Sequence, residues 1–96
     1  MLVLKGHNTI IAAPDGRYAI NPCDSVALAT AGSGDVLTGV IAAFAPTGME
    51  AFDAACMGVL AHGLAGMRLA ETRGAIGTIA SDIASAVADI LREATV

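Results

Sequence analysis

A layer of short strands followed by three helices, an α/β or α+β arrangement, is the fold class this sequence predicts. Three observations carry it. β-favouring runs end near residue 20, helical apolar spacing begins at Asp35 and continues almost to the last residue, and a glycine-rich turn separates the two regimes. One or two strands do not reveal parallel pairing, so the strand direction stays open at this level.

Leu2 to Leu4 and Thr9 to Ala12 are short β-favouring runs, and Pro14-Asp15-Gly16 between Ile11 and Tyr18 has the chemistry of a tight turn. Proline presets φ and glycine accepts a positive φ. Strands are therefore expected near 2–5, 9–13 and 17–20, the last two paired as a hairpin. Asn21-Pro22-Cys23-Asp24-Ser25 reads as a loop leading into the glycines. From Asp35, Val36, Leu37, Val40, Ile41 and Phe44 recur at helical spacing until Pro46 and Gly48 stop the first helix. A second helix is expected from Ala51 to Glu71, mostly buried, with Phe52, Cys56, Val59, Leu60, Gly63 and Met67 on one face. Gly74 to Ala80 breaks the pattern. Ser81-Asp82 then caps a third helix, with Ile83, Val87, Ile90 and Leu91 inward and Asp89, Arg92 and Glu93 outward.

Ninety-six residues make one small domain, which buries only about 60–65% of the surface its unfolded chain exposes. Yet 55% of the residues are hydrophobic and 15% charged, more apolar surface than so thin a core absorbs. Part of that surface is expected to meet a neighbour. A net charge of −4 without clustered Lys and Arg argues against a nucleic-acid partner. Cys23 and Cys56 are far apart and lack a C-x-x-C spacing, so neither zinc nor a redox pair is indicated; two buried thiols in a reducing cytoplasm are expected. The apolar stretches Val36 to Ala45 and Ala54 to Gly66 are shorter than the ~20 residues that span a bilayer, and no secretory signal is visible at Met1 to Lys5.

The most informative segment is Leu28-Ala29-Thr30-Ala31-Gly32-Ser33-Gly34-Asp35-Val36-Leu37-Thr38-Gly39. Small residues at a helix start let backbone N–H groups approach an anion closely, and the dipole favours negative charge there. The same letters also describe an ordinary capped helix, with Ser33 or Asp35 accepting from early N–H groups. The lysine of a Walker A loop is absent, and so is the third glycine of a dinucleotide fingerprint. His62 interrupts an apolar helix and reads foremost as a hydrogen-bonded core histidine.

The segment Ala29 to Gly39 resembles the signature of the NAD(P)H-hydrate dehydratases of the ribokinase-like superfamily. The resemblance extends to Val3-Leu4-Lys5-Gly6-His7-Asn8-Thr9, Pro14-Asp15-Gly16, His62-Gly63-Leu64-Ala65-Gly66 and Ile79-Ala80-Ser81-Asp82, so nearly the whole sequence is covered in order. It implies that residues 1–96 are the C-terminal part of a three-layer α/β domain with a largely parallel central sheet, to which this chain gives edge strands and helices. It implies nucleotide binding by Lys5, Gly6, His7, Asn8, Thr9 and Gly34, and a carboxylate at Asp35 that contacts the hydrated nicotinamide and draws the hydroxyl proton. The activity implied is ADP- or ATP-dependent dehydration of NADHX or NADPHX in the cytoplasm. Mg²⁺ is the expected divalent cation, held mostly by phosphate and water because no ligand pair is evident in the sequence. A homo-oligomer or a complementary N-terminal part is the expected partner. A small-alcohol kinase of the same superfamily, and a noncatalytic fragment or assembly subunit, are the competing readings. Two stretches depart from the family pattern: Asp24-Ser25-Val26-Ala27 replaces a Gly-Asn-Pro-like turn, and Met67 stands where an acidic residue is common.

Overall fold

The computed structural model describes residues 1–5, 8–21, 25–74 and 76–94. Strands β1 (Leu2–Leu4), β2 (Thr9–Ala12) and β3 (Tyr18–Asn21) form one sheet in the order β1-β2-β3, antiparallel throughout. Helices α1 (Ser33–Ala43), α2 (Ala51–Thr72) and α3 (Ala80–Ala94) follow, with single 3-10 turns at Val26–Ala29 and Ala45–Thr47. The parallel pairing that the resemblance implies for the whole sheet has no representative among these strands. Short connections explain this, since a parallel pair needs a crossover of a dozen or more residues.

The β2–β3 connection is closed by Ala13 N–H to the Arg17 carbonyl at 2.8 Å and Gly16 N–H to the Ala13 carbonyl at 3.1 Å. Gly16 takes φ 95°, the left-handed position that ends such a three-residue hairpin loop. Arg17 pairs with Asp15 and Glu50 and lies 4.9 Å from the Phe52 ring centroid, which ties the hairpin to the start of α2.

Strand alternation gives the sheet two unlike faces. Val3, Ile11 and Ala19 are aligned in register and pack with Leu37, Ile41, Ala55 and Val59 of α1 and α2. Leu2, Leu4, Ile10, Tyr18 and Ile20 lie on the opposite face and are exposed. A second core joins Ala61, Ala65 and Leu69 of α2 to Ile83, Ala86 and Val87 of α3, with Leu28, Val36 and Val40 against it. α2 is thus the shared spine.

The buried side of α2 includes Val59 and Gly63 of the expected face, with Phe52 and Cys56 packed against the core, and departs from it at Leu60 and Met67. Leu60 and Met67 are exposed, while Ala54, Ala55, Ala61, Ala65 and the glycines are buried. Close approach is the reason: a Cβ on Gly58 would stand 2.6 Å from Ile41 Cγ1, and one on Gly66 2.5 Å from Leu28 Cγ. Contacts this tight select the smallest side chains, so the buried stripe extends over alanines and glycines that a hydrophobicity pattern does not mark. At α3 the Asp82 carboxylate accepts from Ile79 N–H at 3.0 Å, whereas Ser81 is exposed within the helix. That is the backward-reaching half of a capping box.

Candidate anion site at the glycine turn

The α1 start is built around Gly32, which takes φ 87° and leaves no room for a side chain, since its Cβ would meet Ala80 Cβ at 3.0 Å. No side chain caps this helix. The ordinary-cap reading of Ser33 and Asp35 therefore fails. Ser33 N–H bonds the Thr30 carbonyl at 3.2 Å and Val36 N–H bonds the Gly32 carbonyl at 3.1 Å, whereas the amides of Gly34 and Asp35 reach no carbonyl among the described residues. Two donors stay available at the positive end of the helix.

Side chains hold the carbonyls of the same turn. His62 Nε2 lies 3.1 Å from the Ser33 carbonyl oxygen and 3.2 Å from Ser33 Oγ, and Thr38 Oγ1 donates to the Gly34 carbonyl at 3.0 Å. His62 and Ser33 are 3% and 2% exposed, so this link is buried. Burial pushes the His62 imidazole below its ordinary value and the Lys5 charge adds to the shift, against the opposing effect of the Ser33 carbonyl. The expected core histidine is found, and it is bonded to the glycine turn.

Lys5, at the end of β1, stands over this helix start: its Nζ is 3.6 Å from the point a Cβ on Gly34 would occupy. Lys5 forms the wall between two clefts. The first, about 140 Å³, is also lined by Thr9, Asn21, Ser25 and His62; the second, about 360 Å³, by Val3, Gly34, Leu37 and Thr38. The second is the one that borders the glycine turn, since Gly34 and Lys5 both line it, and its volume falls within the about 300–1,000 Å³ of ligand pockets.

Of the sequence-derived residues, Lys5 is therefore brought beside both Thr9, in the first cleft, and Gly34, in the second. Asn8 is exposed beside β2, and Gly6 and His7 lie outside the described residues. Asp35 is exposed on the first turn of α1 and lines neither cleft. Sequence reasoning missed Asn21 and Ser25 as cleft residues. Asn21 Nδ2 donates to the Val59 carbonyl at 3.2 Å and fixes β3 on α2. Cys56 is free and half-buried, with its thiol pushed up chiefly by burial; Cys23 lies outside the described residues. Among the described residues no three His, Cys, Asp or Glu side chains converge on a metal position, and no helix is long and apolar enough to cross a membrane.

The family profile described as NAD(P)H-hydrate dehydratase matches residues 1–89. The chain is similar to the bifunctional NAD(P)H-hydrate repair enzyme Nnr of Moorella thermoacetica, 46% identical over 96% of this chain and 17% of that protein. It is also similar to the ADP-dependent (S)-NAD(P)H-hydrate dehydratase of Neisseria meningitidis serogroup B, 45% identical over 88% of this chain and 29% of the relative. A third relative, the Nnr enzyme of Thermofilum pendens, is 54% identical over 79% of the chain and 14% of its own length. The chain thus spans well under a third of each of these relatives.

Proposed function

The chain belongs to the NAD(P)H-hydrate dehydratase family, and on that premise we propose that it supplies the phosphate-gripping part of an enzyme that dehydrates NADHX or NADPHX at the expense of ADP. The observation that carries the proposal is the approach of Lys5 Nζ to Gly34, at a helix start whose Gly34 and Asp35 amides are uncommitted among the described residues. A point cation and two oriented N–H donors suit a terminal phosphate. ADP is preferred to ATP because relatives carry ADP dependence in their names.

In this reading the Asp35 carboxylate takes the proton of the ring hydroxyl as the hydroxyl oxygen attacks the terminal phosphorus. The new O–P bond forms while the bond from phosphorus to the bridging oxygen breaks, and AMP leaves. Phosphate then departs with the C–O bonding pair and the neighbouring ring carbon gives up a proton, which restores the ring double bond of NADH or NADPH. Lys5 and the helix-start amides stabilise charge on the transferring group. Mg²⁺, when bound, would offset charge on the transferring phosphate; with no three His, Cys, Asp or Glu side chains converging among the described residues, phosphate and water would supply most of its ligands.

The uncovered apolar sheet face favours a second element of the reading: the site works when a further polypeptide layer, either a second copy or a complementary N-terminal part, covers Leu2, Leu4, Ile10 and Ile20. The test is incubation of the protein with NADHX and ADP. Equal release of NADH, AMP and inorganic phosphate supports the proposal. A stable phosphorylated alcohol assigns the chain to a kinase instead, and order gained only with a partner polypeptide, without turnover, assigns it to a noncatalytic subunit.

A further inference from the structure

We infer that His62 is the positioning residue of the glycine turn, holding the Ser33 peptide so that the next two amides face the phosphate; this rests on the functional reading above. The peptide in question lies between Gly32 and Gly34, the two most conformationally permissive neighbours a peptide can have. Its helix start carries no side-chain cap. The orientation of the Gly34 and Asp35 amides must therefore be fixed from outside the turn. Three groups bear on it: Ala80 Cβ, which abuts Gly32, Thr38 Oγ1, which donates to the Gly34 carbonyl, and His62, whose Nε2 meets both Ser33 oxygens.

The geometry also selects the tautomer. With the proton on Nδ1, Nε2 would accept from Ser33 Oγ and place its lone pair 3.1 Å from the Ser33 carbonyl oxygen, lone pair against lone pair. With the proton on Nε2, one N–H is shared between carbonyl and hydroxyl, and both contacts attract. Burial and the charge of Lys5 disfavour a second proton on the ring, so the imidazole stays a neutral donor. A buried polar ring is tolerated when it is bonded, and here the bond is spent on the peptide that precedes the two amides. Lys5 reaches the same helix start from β1, with Nζ 3.6 Å from the Cβ position of Gly34. Loss of the histidine thus weakens the hold of the amides on phosphate and leaves the Lys5 charge in place.

The experiment compares wild type, His62→Gln and His62→Leu in the full polypeptide. Gln places an N–H donor near the position of Nε2, whereas Leu fills the space without one. In the Leu variant the Kd for ADP is expected to rise about 10- to 100-fold, the cost of a lost charge-assisted hydrogen bond from the displaced amides, and turnover with NADHX and ADP to fall at least as far. The Gln variant recovers most of the lost kcat. In wild type, imidazole nitrogen resonances report the Nε2–H tautomer. Unchanged ADP affinity and kcat in the Leu variant, a Gln variant that recovers neither, or an Nδ1–H tautomer overturns the inference. A wild type that binds ADP without turnover removes the functional reading alone. The inference is then decided by the Gly34 and Asp35 amide resonances, which must move in the Leu variant or, if that variant does not fold, in the Gln variant; unmoved resonances overturn it.

Discussion

Gly34→Ala separates stability from phosphate binding, because the structure gives the added methyl opposite effects on the two. Gly34 lies inside α1 without a positive φ, and its new Cβ would sit at ordinary contact distance, 3.6 Å, from Lys5 Nζ. Nothing in the free protein has to move. Alanine is up to about 1 kcal/mol better than glycine in a helix, and a chain of this size gains about 4–8 °C in Tm per kcal/mol. The methyl, however, occupies the approach between the lysine and the helix-start amides. Loss of one charge-assisted hydrogen bond to phosphate costs about 1.5–3 kcal/mol, a rise of about 10- to 100-fold in the Kd for ADP. Thermal unfolding and calorimetric titration on the same sample read both effects. A variant with higher Tm and unchanged ADP affinity would refute the placement of the phosphate between Lys5 and Gly34.

Asp35→Asn is expected to abolish turnover while leaving the ADP Kd within about threefold of wild type, since asparagine keeps the size but accepts no proton; simultaneous loss of binding would contradict the base assignment. Gly66→Ala forces its Cβ into Leu28 Cγ and is expected to lower stability by about 1–3 kcal/mol in chemical denaturation, whereas Gly39→Ala, which meets nothing within 4 Å, leaves stability unchanged or raised. The His62 contribution to stability has a definite pH window. Because the imidazole is held below its ordinary value of 6.5, the unfolded chain binds the extra proton first; stability is complete above pH 6.5 and falls as pH drops toward the folded value. The carboxylates of Asp15, Glu50 and Glu93, held low by their arginine partners, lose their contributions only at more acidic pH. His62→Gln should flatten the first window in denaturation followed from pH 7 to about pH 5.

The local chemistry of the chain was the part readable without coordinates. Pro14-Asp15-Gly16 places its hairpin correctly because turn geometry is decided within five residues, and Pro46 with Gly48 ends α1 for the same reason. Ile83, Val87, Ile90 and Leu91 line the inner side of α3 as expected, because that helix has a polar outer face to contrast with them. α2 has no such contrast, and its burial is set by how closely α1 and the 3-10 turn at Val26–Ala29 approach Gly58 and Gly66. That distance is a tertiary quantity. The pairing of Ser33 with His62 joins residues 29 apart in sequence, and no spacing rule connects them. Lys5 and Gly34 were assigned separately through the family resemblance, and the structure sets them face to face.

The grip of Lys5 and the Gly34 turn on nucleotide phosphate is tested most directly by titrating wild type and Lys5→Met with ADP and with adenosine. The account predicts that wild type binds ADP at least about tenfold more tightly than adenosine, and that the difference shrinks in Lys5→Met while adenosine affinity is unchanged. Equal affinity of wild type for the two ligands, or a preference that survives removal of the lysine charge, would contradict it.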